Sequence, residues 1–478
     1  NEELKKPSGN VNEELHLVGN NVFINVEGIK SNSVIASAYK SGALQQSTTN
    51  FITNPNAITN FNFSIKDYEN VEGNSNNAIS NREFKKYATM ASAEDWKNFA
   101  NGWNNNTNNM QTFFDEYHLI GDIDFSTYVD SEGKQIAIDP VGVYQYGLDE
   151  NGQPTEEDIK VPFNKVFNGN GYTLSNVLID TNYHSLGLFG NIKNASISNL
   201  NINGLNFNYG NQDRIINIGS FAGHITNSNV SNINISNVGE IKGDSVGIAS
   251  GWMQVTAGGF AGTVTNSNIR SIILKNVESI KGQNSEGVEG YWGAGRVGGF
   301  MGVAVYSDNY LIENIFIDGI GSVENHFDHV RASTGGFYGD GYISGKSKVN
   351  NIVIKNIDRI YAKNGLASGF ASGTETVNNI SNIYIYFSKD AEIVSDKGDA
   401  YKFSAFYGDA KNVNVYYQEG RLVGVGEGST NGNPINYVTY KEDMEKEFDS
   451  IVAKDSSFQD NGWHVDDNGN LSFIEEKQ

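Results

Sequence analysis

Histidine, aspartate and arginine crowd into one short stretch of the chain, with His326, Asp328, His329 and Arg331 all inside "HFDHVR". Imidazole and carboxylate side chains this close can hold a metal ion or relay protons. A polar loop collects the same residues without doing any chemistry. A second group is aromatic: Trp252 with Met253 in "SGWMQV", and Tyr291 with Trp292 in "EGYWGAGR", where Arg296 follows. Exposed rings stack on sugars or bury at protein interfaces, and Arg296 adds a charged hydrogen-bond donor. Folded over one another, the same rings would make a small satellite core instead. A third group is acidic, Asp122, Asp124 and Asp130 followed by "DENGQPTEED" at 149–158. Carboxylates are the ligands Ca²⁺ takes, but neither stretch has the spacing of a calcium loop, and solvated turns account for both. No cofactor is expected, with Ca²⁺ the one ion worth testing.

Several chemistries are excluded by missing patterns. None of the seven histidines stands in an H-E-x-x-H arrangement, and no phosphate-binding loop is present. "GAGRVGG" at 293–299 has no helix after it, so it reads as a corner rather than a nucleotide cradle.

The elements that must position these residues repeat. "GGFAG" at 258–262, "GGFMG" at 298–302 and "GGFYG" at 335–339 have looser copies on either side. Their phenylalanines are Phe189, Phe221, Phe260, Phe300, Phe337, Phe370 and Phe406, and a recurrence of this length marks a solenoid or propeller. After each Phe comes the pattern apolar-x-x-apolar-x-apolar-x-x-apolar, as in Ile269, Ile272, Leu274 and Val277, or Val349, Ile352, Ile354 and Ile357. Apolar residues two apart put both side chains on one face of a strand, and each three-residue step adds a residue that turns a corner. A further apolar position follows at Ile241, Ile280, Val323 and Ile360.

Three short strands per period, with no hairpin dipeptides between them, predict one coil of a parallel β-helix rather than a propeller blade. The preference for right-handed crossovers makes it right-handed. The Phe residues should stack as an interior ladder, with the repeated stretch as the first strand of each coil and its glycines permitting sharp corners. Asn199, Asn232, Asn314, Asn351 and Asn382 fall at corners and can stack along the axis. The period varies almost wholly between the third strand and the next Phe, so these insertions should emerge on one side, where function usually resides.

Outside the array, "ASAEDWKNFANGWNN" carries Trp96, Phe99 and Trp103 at helical spacing behind Ser92, predicting a capping helix at about 93–103. Residues 1–85 show no clear repeat and read as a β region or irregular cap, and 86–425 as the β-helix. Within 426–478, "YKEDMEKEFDSIVAKD" reads as a helix and "WHVDDNGNLSF" as a hairpin, together a cap for the far end.

Composition narrows the partners. Fifty-three glycines and 66 asparagines against six prolines describe a turn-rich all-β chain. A net charge of −22 repels phosphate backbones and anionic lipid, so nucleic acid is not an expected partner. No apolar run approaches the roughly 20 residues of a membrane span. Absence of cysteine fits an exported bacterial protein, and the start "NEELKKPSGN" lacks a signal core, so the chain reads as a mature segment.

"YHLIGDIDFS" at 117–126, "PFNKVFNGNGYTLSNVLI" at 162–179 and "GLFGNIKNASISNLNI" at 187–202 resemble the GLUG-motif repeats of bacterial surface proteins. Such repeats occur in autotransporter and filamentous-haemagglutinin-type adhesins and in the non-catalytic extensions of secreted immunoglobulin A metallopeptidases. The resemblance covers roughly residues 88–425 and departs from the common "FDGNG" in having "FNGNG" at 167–171. It implies a secreted or cell-surface location and, for adhesins of this kind, an outer-membrane secretion partner. The chain is thus expected to be a non-catalytic adhesin segment binding a host or neighbouring-cell glycan or protein through lateral loops. Its candidate ligand-binding residues are Trp252, Met253, Tyr291, Trp292, Arg296, His326, His329 and Arg331. A polysaccharide lyase or hydrolase on the same scaffold, and a stalk presenting another domain, are the alternatives.

Overall fold

The computed structural model describes the strands at 15–19, 22–25, 34–38 and 48–53, and residues 83–145, 159–181, 183–209, 214–245, 255–284, 295–372, 379–404, 410–428 and 434–473. The chain is a parallel β-helix. Each period contributes a strand to three stacks. The short stack holds Asn217–Gly219, Thr256–Gly258, Arg296–Gly298, Ser333–Gly335 and Leu366–Ser368. A second stack holds Ala222–Thr226, Ala261–Thr265, Met301–Tyr306 and Tyr338–Ile343. The third is built of long strands such as Asn268–Gln283, Leu311–Asn325 and Lys348–Ala362, paired in parallel with Ile272 opposite Ile315 and Ile315 opposite Ile352.

The strands divide differently from the sequence expectation. The second and third apolar elements form one long, bent strand, and the Phe falls at the bend between the short and second stacks, as Phe260 does between Gly258 and Ala261. Every described Phe of the series is nonetheless fully buried. Ring centroids of Phe221, Phe260, Phe300, Phe337 and Phe370 follow one another at 4.9, 4.9, 5.1 and 5.0 Å, with their planes nearly parallel. Phe406 lies outside the described residues. Phe403 continues the stack at 5.1 Å from Phe370, and its carbonyl accepts the Phe370 N–H at 2.7 Å, as that of Phe370 accepts Phe337.

Left-handed backbone is supplied at the long-strand corners mainly by asparagine. Asn199, Asn232, Asn314, Asn351 and Asn382 have φ between 54° and 58°. Asn232 donates to Asn199 at 3.1 Å, Asn351 to Asn314 at 3.2 Å, Asn382 to Asn351 at 3.0 Å and Asn412 to Asn382 at 3.0 Å. The ladder has one gap, where Ser271 takes the corner with φ 55°. The glycines of the repeated stretch have a different job from the one expected. None of Gly258, Gly262, Gly298 or Gly302 is left-handed; they stand where neighbouring rungs touch. A Cβ on Gly262 would lie 2.7 Å from the Ile218 nitrogen, and one on Gly302 2.8 Å from that of Ala257.

The helix Ala93–Asn104 forms with Ser92 accepting from the Asp95 N–H at 3.1 Å. It enters the interior, where Trp96, Phe99 and Trp103 join the same core as the Phe stack. Trp96 stands 5.7 Å from Phe167 and 6.5 Å from Phe189, edge-on to both. Upstream, the strands Val22–Asn25, Thr48–Thr53 and Glu83–Met90 continue the parallel pairing down to Glu116–Leu119.

The far end departs from expectation. The helix Glu445–Lys454 and the hairpin Trp463–Val465/Leu471–Phe473 form, but they do not close the last coil. Residues 441–473 fold back as a strap over the outside of the long-strand stack. There Phe448, Val452, Phe458 and Trp463 cover Phe316, Val353, Tyr384 and Tyr416. Phe316, Val353 and Tyr384 share one outward position, whose equivalents nearer the N-terminus are Asn201 and Asn234, and Tyr416 stands in the next outward column, opposite Tyr386.

Candidate functional site at the loop edge

The variable segments all leave the ends of the long strands on the same side. Asp244 and Gln283 stand opposite one another at that edge, with the Gln283 amide donating to Asp244 at 2.7 Å. Trp252, Met253, Tyr291 and Trp292 lie outside the described residues. The feet of their loops do not: Val255, Phe327 and Ala332 form a separate buried cluster that joins the first and third of three consecutive insertions, and Gly295, at the foot of the second, lies against Phe327. Phe327 is held there by Asn325, whose amide donates to the carbonyls of Gly295 at 2.8 Å and Ser333 at 3.1 Å.

Arg296 is not the free donor that was expected. It is 9% exposed, its Nε bonds Asp340 at 2.6 Å, and an Nη donates to the Arg331 carbonyl at 2.5 Å. The guanidinium is consumed in tying one rung to the next, because the outward side chains of the short and second stacks face each other there. In the rung before Arg296, Thr256 and Thr263 face each other within one coil, 3.0 Å apart.

His326 and His329 do not share a ligand. His326 Nε2 bonds Glu324 at 2.9 Å, whereas His329 Nδ1 accepts the Arg331 N–H at 3.1 Å. Glu324 also takes Arg359 at 3.2 Å. Burial works against its charge, and His326, Arg359 and Lys281 outweigh that, so its carboxyl sits below the ordinary value. Asp328 is likewise held low, by bonds from Lys397 and Asn364. The ring of Tyr361 lies 4.6 Å from the Arg359 guanidinium and 5.4 Å from His326, and its hydroxyl donates to Asp396 at 2.7 Å. Burial and Asp396 push that phenol up to about 12.

The outcome is a ledge of paired charges and one aromatic ring beside the loop feet, with Val330 projecting from it at 72% exposure. Such a ledge can hydrogen-bond and stack against a ligand. Its carboxylates are all engaged, Glu324 by His326 and Arg359, Asp328 by Lys397 and Asn364, and Asp396 by the Tyr361 hydroxyl. Among the described residues no three His, Asp or Glu side chains converge as a metal site. Asp124 and Asp130 accept hydrogen bonds within turns, from the Ser126 and Glu132 N–H groups at 2.9 Å each, and Asp122 accepts the Thr173 N–H of the next rung at 2.8 Å.

No protein-family model matches the chain, and no curated protein matches it. One solved structure, a "putative immunoglobulin A1 protease" from Bacteroides ovatus, is similar over 81% of this chain and 92% of its own, with 16% identity and a TM-score of 0.38. That likeness is too remote to carry function across. Among the described residues no helix is long and apolar enough to cross a membrane.

Glu324, Arg359 and Tyr361 were missed in the sequence because they stand in the third, poorly patterned part of each period. Their alternation of charge from rung to rung, with Lys281 opposite Glu324, becomes visible only once the register is known.

Proposed function

We propose that this chain is a ligand-binding segment of a secreted or cell-surface bacterial protein, of the adhesin kind, engaging a glycan or protein through its loop edge. The observation that carries this reading is the shared base of Val255, Phe327 and Ala332. It gathers the feet of the loops bearing Trp252, Met253, Tyr291 and Trp292 next to the His326–Arg331 segment, on a scaffold otherwise stacked rigidly in register. Rigid elements presenting variable loops are the usual arrangement of a binding surface. The GLUG-like repeat and the lack of cysteine support export. Arg296 is reassigned from ligand contact to scaffold.

The test is binding of the chain to arrays of glycans and extracellular-matrix proteins, beside a Trp252→Ala, Trp292→Ala double variant with unchanged circular dichroism. Binding that the double variant loses supports the reading. An array silent for the unaltered chain overturns it in favour of a stalk.

A further inference from the structure

Away from the loop edge, the strap meets the β-helix at a buried charged group that stacking does not require. Lys355 points outward from a long strand and is sealed in by the strap, its side chain 3% exposed and that of Asp449 2%. The Lys355 Nζ lies 2.8 and 3.0 Å from the two oxygens of Asp449, which therefore face it evenly, and 2.8 Å from Glu445 Oε1. Phe316 lies alongside, its ring centroid 5.9 Å from Nζ, and Phe448 belongs to the same aromatic cluster. The Leu471 N–H donates to Asp449 Oδ2 at 3.2 Å, and Asn356 donates to Glu445 Oε1 at 2.9 Å.

An amine held against a carboxyl carbon, an adjacent carboxylate to move protons, an N–H on the carbonyl oxygen and a water-poor pocket together suit one reaction. We propose that Lys355 and Asp449 condense spontaneously to a side-chain amide, with Glu445 as the proton shuttle, and so fasten the strap covalently to the β-helix.

The atoms balance without a co-reactant. Within the Lys355 ammonium–Asp449 carboxylate pair one proton passes to the carboxyl, and Glu445 takes a second as Nζ attacks Asp449 Cγ. The tetrahedral oxygen at Oδ2 is met by the Leu471 N–H. Glu445 returns its proton to the departing Oδ1, the Cγ–Oδ1 bond breaks, and one water leaves. Confinement of the two groups replaces the entropic cost of bringing them together, and dryness disfavours the reverse hydrolysis. The electrostatics favour the first transfer from the acid side, since burial raises the Asp449 carboxyl above its ordinary value. From the amine side they resist it. Burial lowers Lys355, but Asp318, Asp449 and Glu445 more than reverse that, which is why a shuttle is needed.

Intact-mass spectrometry of the folded full chain decides the matter, followed by peptide mapping. The expected result is a mass short by one water and a branched peptide joining residues 355 and 449. Glu445→Gln should fold, by near-ultraviolet circular dichroism, and keep its full mass. Asp449→Asn should lose ammonia instead of water, a readout that a purely structural ion pair would not produce. A full-length mass for the unaltered chain after prolonged incubation overturns the proposal. So does a water loss that maps to a succinimide at Asp318–Gly319 or Asp340–Gly341.

Discussion

The two halves of the array are secured by helices of similar length and opposite placement. Toward the N-terminus, Ala93–Asn104 lies inside the coil and extends the Phe stack with its own rings. Toward the C-terminus, Glu445–Lys454 lies outside and rests on the flank of the long strands. Both follow the same amphipathic rule, and what differs is the surface offered to them. The first rungs have an open interior end, which aromatic rings fill. Later rungs are already filled, but turn Phe316, Val353 and Tyr384 outward, and those need a cover. A helix in a solenoid is thus a plug or a strap according to which side of the rungs is left apolar. The boundary between the halves coincides with the break in the asparagine ladder at Ser271. Beyond it the strap joins the ladder, with Trp463 donating to Asn314 at 3.3 Å and Asn351 to the Ser457 carbonyl at 3.1 Å.

The largest effect is expected at the plug. Trp96→Ala should cost about 3–5 kcal/mol by leaving a cavity against Phe99, Phe167 and Phe189. Trp96→Phe should cost much less, because the indole N–H is buried without a hydrogen-bond partner. Urea denaturation of the two variants checks both, and equal losses would show that the plug is not read through its rings. Phe448→Ala should cost about 3 kcal/mol, but locally. Hydrogen exchange should rise across Ser456–Phe473 while the rungs stay protected; a uniform rise would erase the distinction between plug and strap.

Acid should separate the halves next. Strap contacts run through carboxylates held below their ordinary values, Asp443 chiefly by the bond from Tyr386 and Asp455 by bonds from Asn412 and Tyr384 that outweigh its burial. A depressed carboxyl contributes stability above its unfolded value, near 4, that is lost as the pH falls through the folded value. Before it condenses with Lys355, Asp449, which burial shifts upward, offsets part of this. Exchange at Ser456–Phe473 should therefore increase below about pH 4, while amides around Trp96, whose surroundings are aromatic, change little. Simultaneous loss at both ends would contradict the contrast. The smallest effect is a gain. Ser271→Asn should relieve a serine in left-handed backbone and bridge Asn232 to Asn314, adding about 0.5–1 kcal/mol, seen as a higher melting temperature.

Much of this was legible because the array repeats itself. Seven near-copies make the Phe ladder and the asparagine corners visible, since each error in one copy is corrected by its neighbours. What escaped depends on register across rungs. Phe406 matched the repeated letters, yet Phe403 occupies the next step, standing as far beyond Ser395 as Phe370 stands beyond Ala362, the partner of Ser395 in the ladder. Arg296 looked like a donor for a ligand because its partner, Asp340, is one rung and 44 residues away. The glycines looked like corner residues because crowding by the next coil leaves no trace in a single copy. A signal for the strap was present, in the change from Asn201 and Asn234 to Ile273, Phe316 and Val353 at one outward position. Lys355 lies two residues beyond that position, and its partners Glu445 and Asp449 only become its neighbours when the strap turns back.

That turn has a mechanical consequence. Because the strap doubles back, Phe473 lies beside Trp463, whose ring meets Phe316, several rungs short of the strand Asn436–Tyr440. A pull applied there does not peel the last coil away from its neighbour. It loads the helix and hairpin sideways against the flank, and the amide proposed between residues 355 and 449 would carry that tension into the middle of the array, bypassing the final rungs altogether.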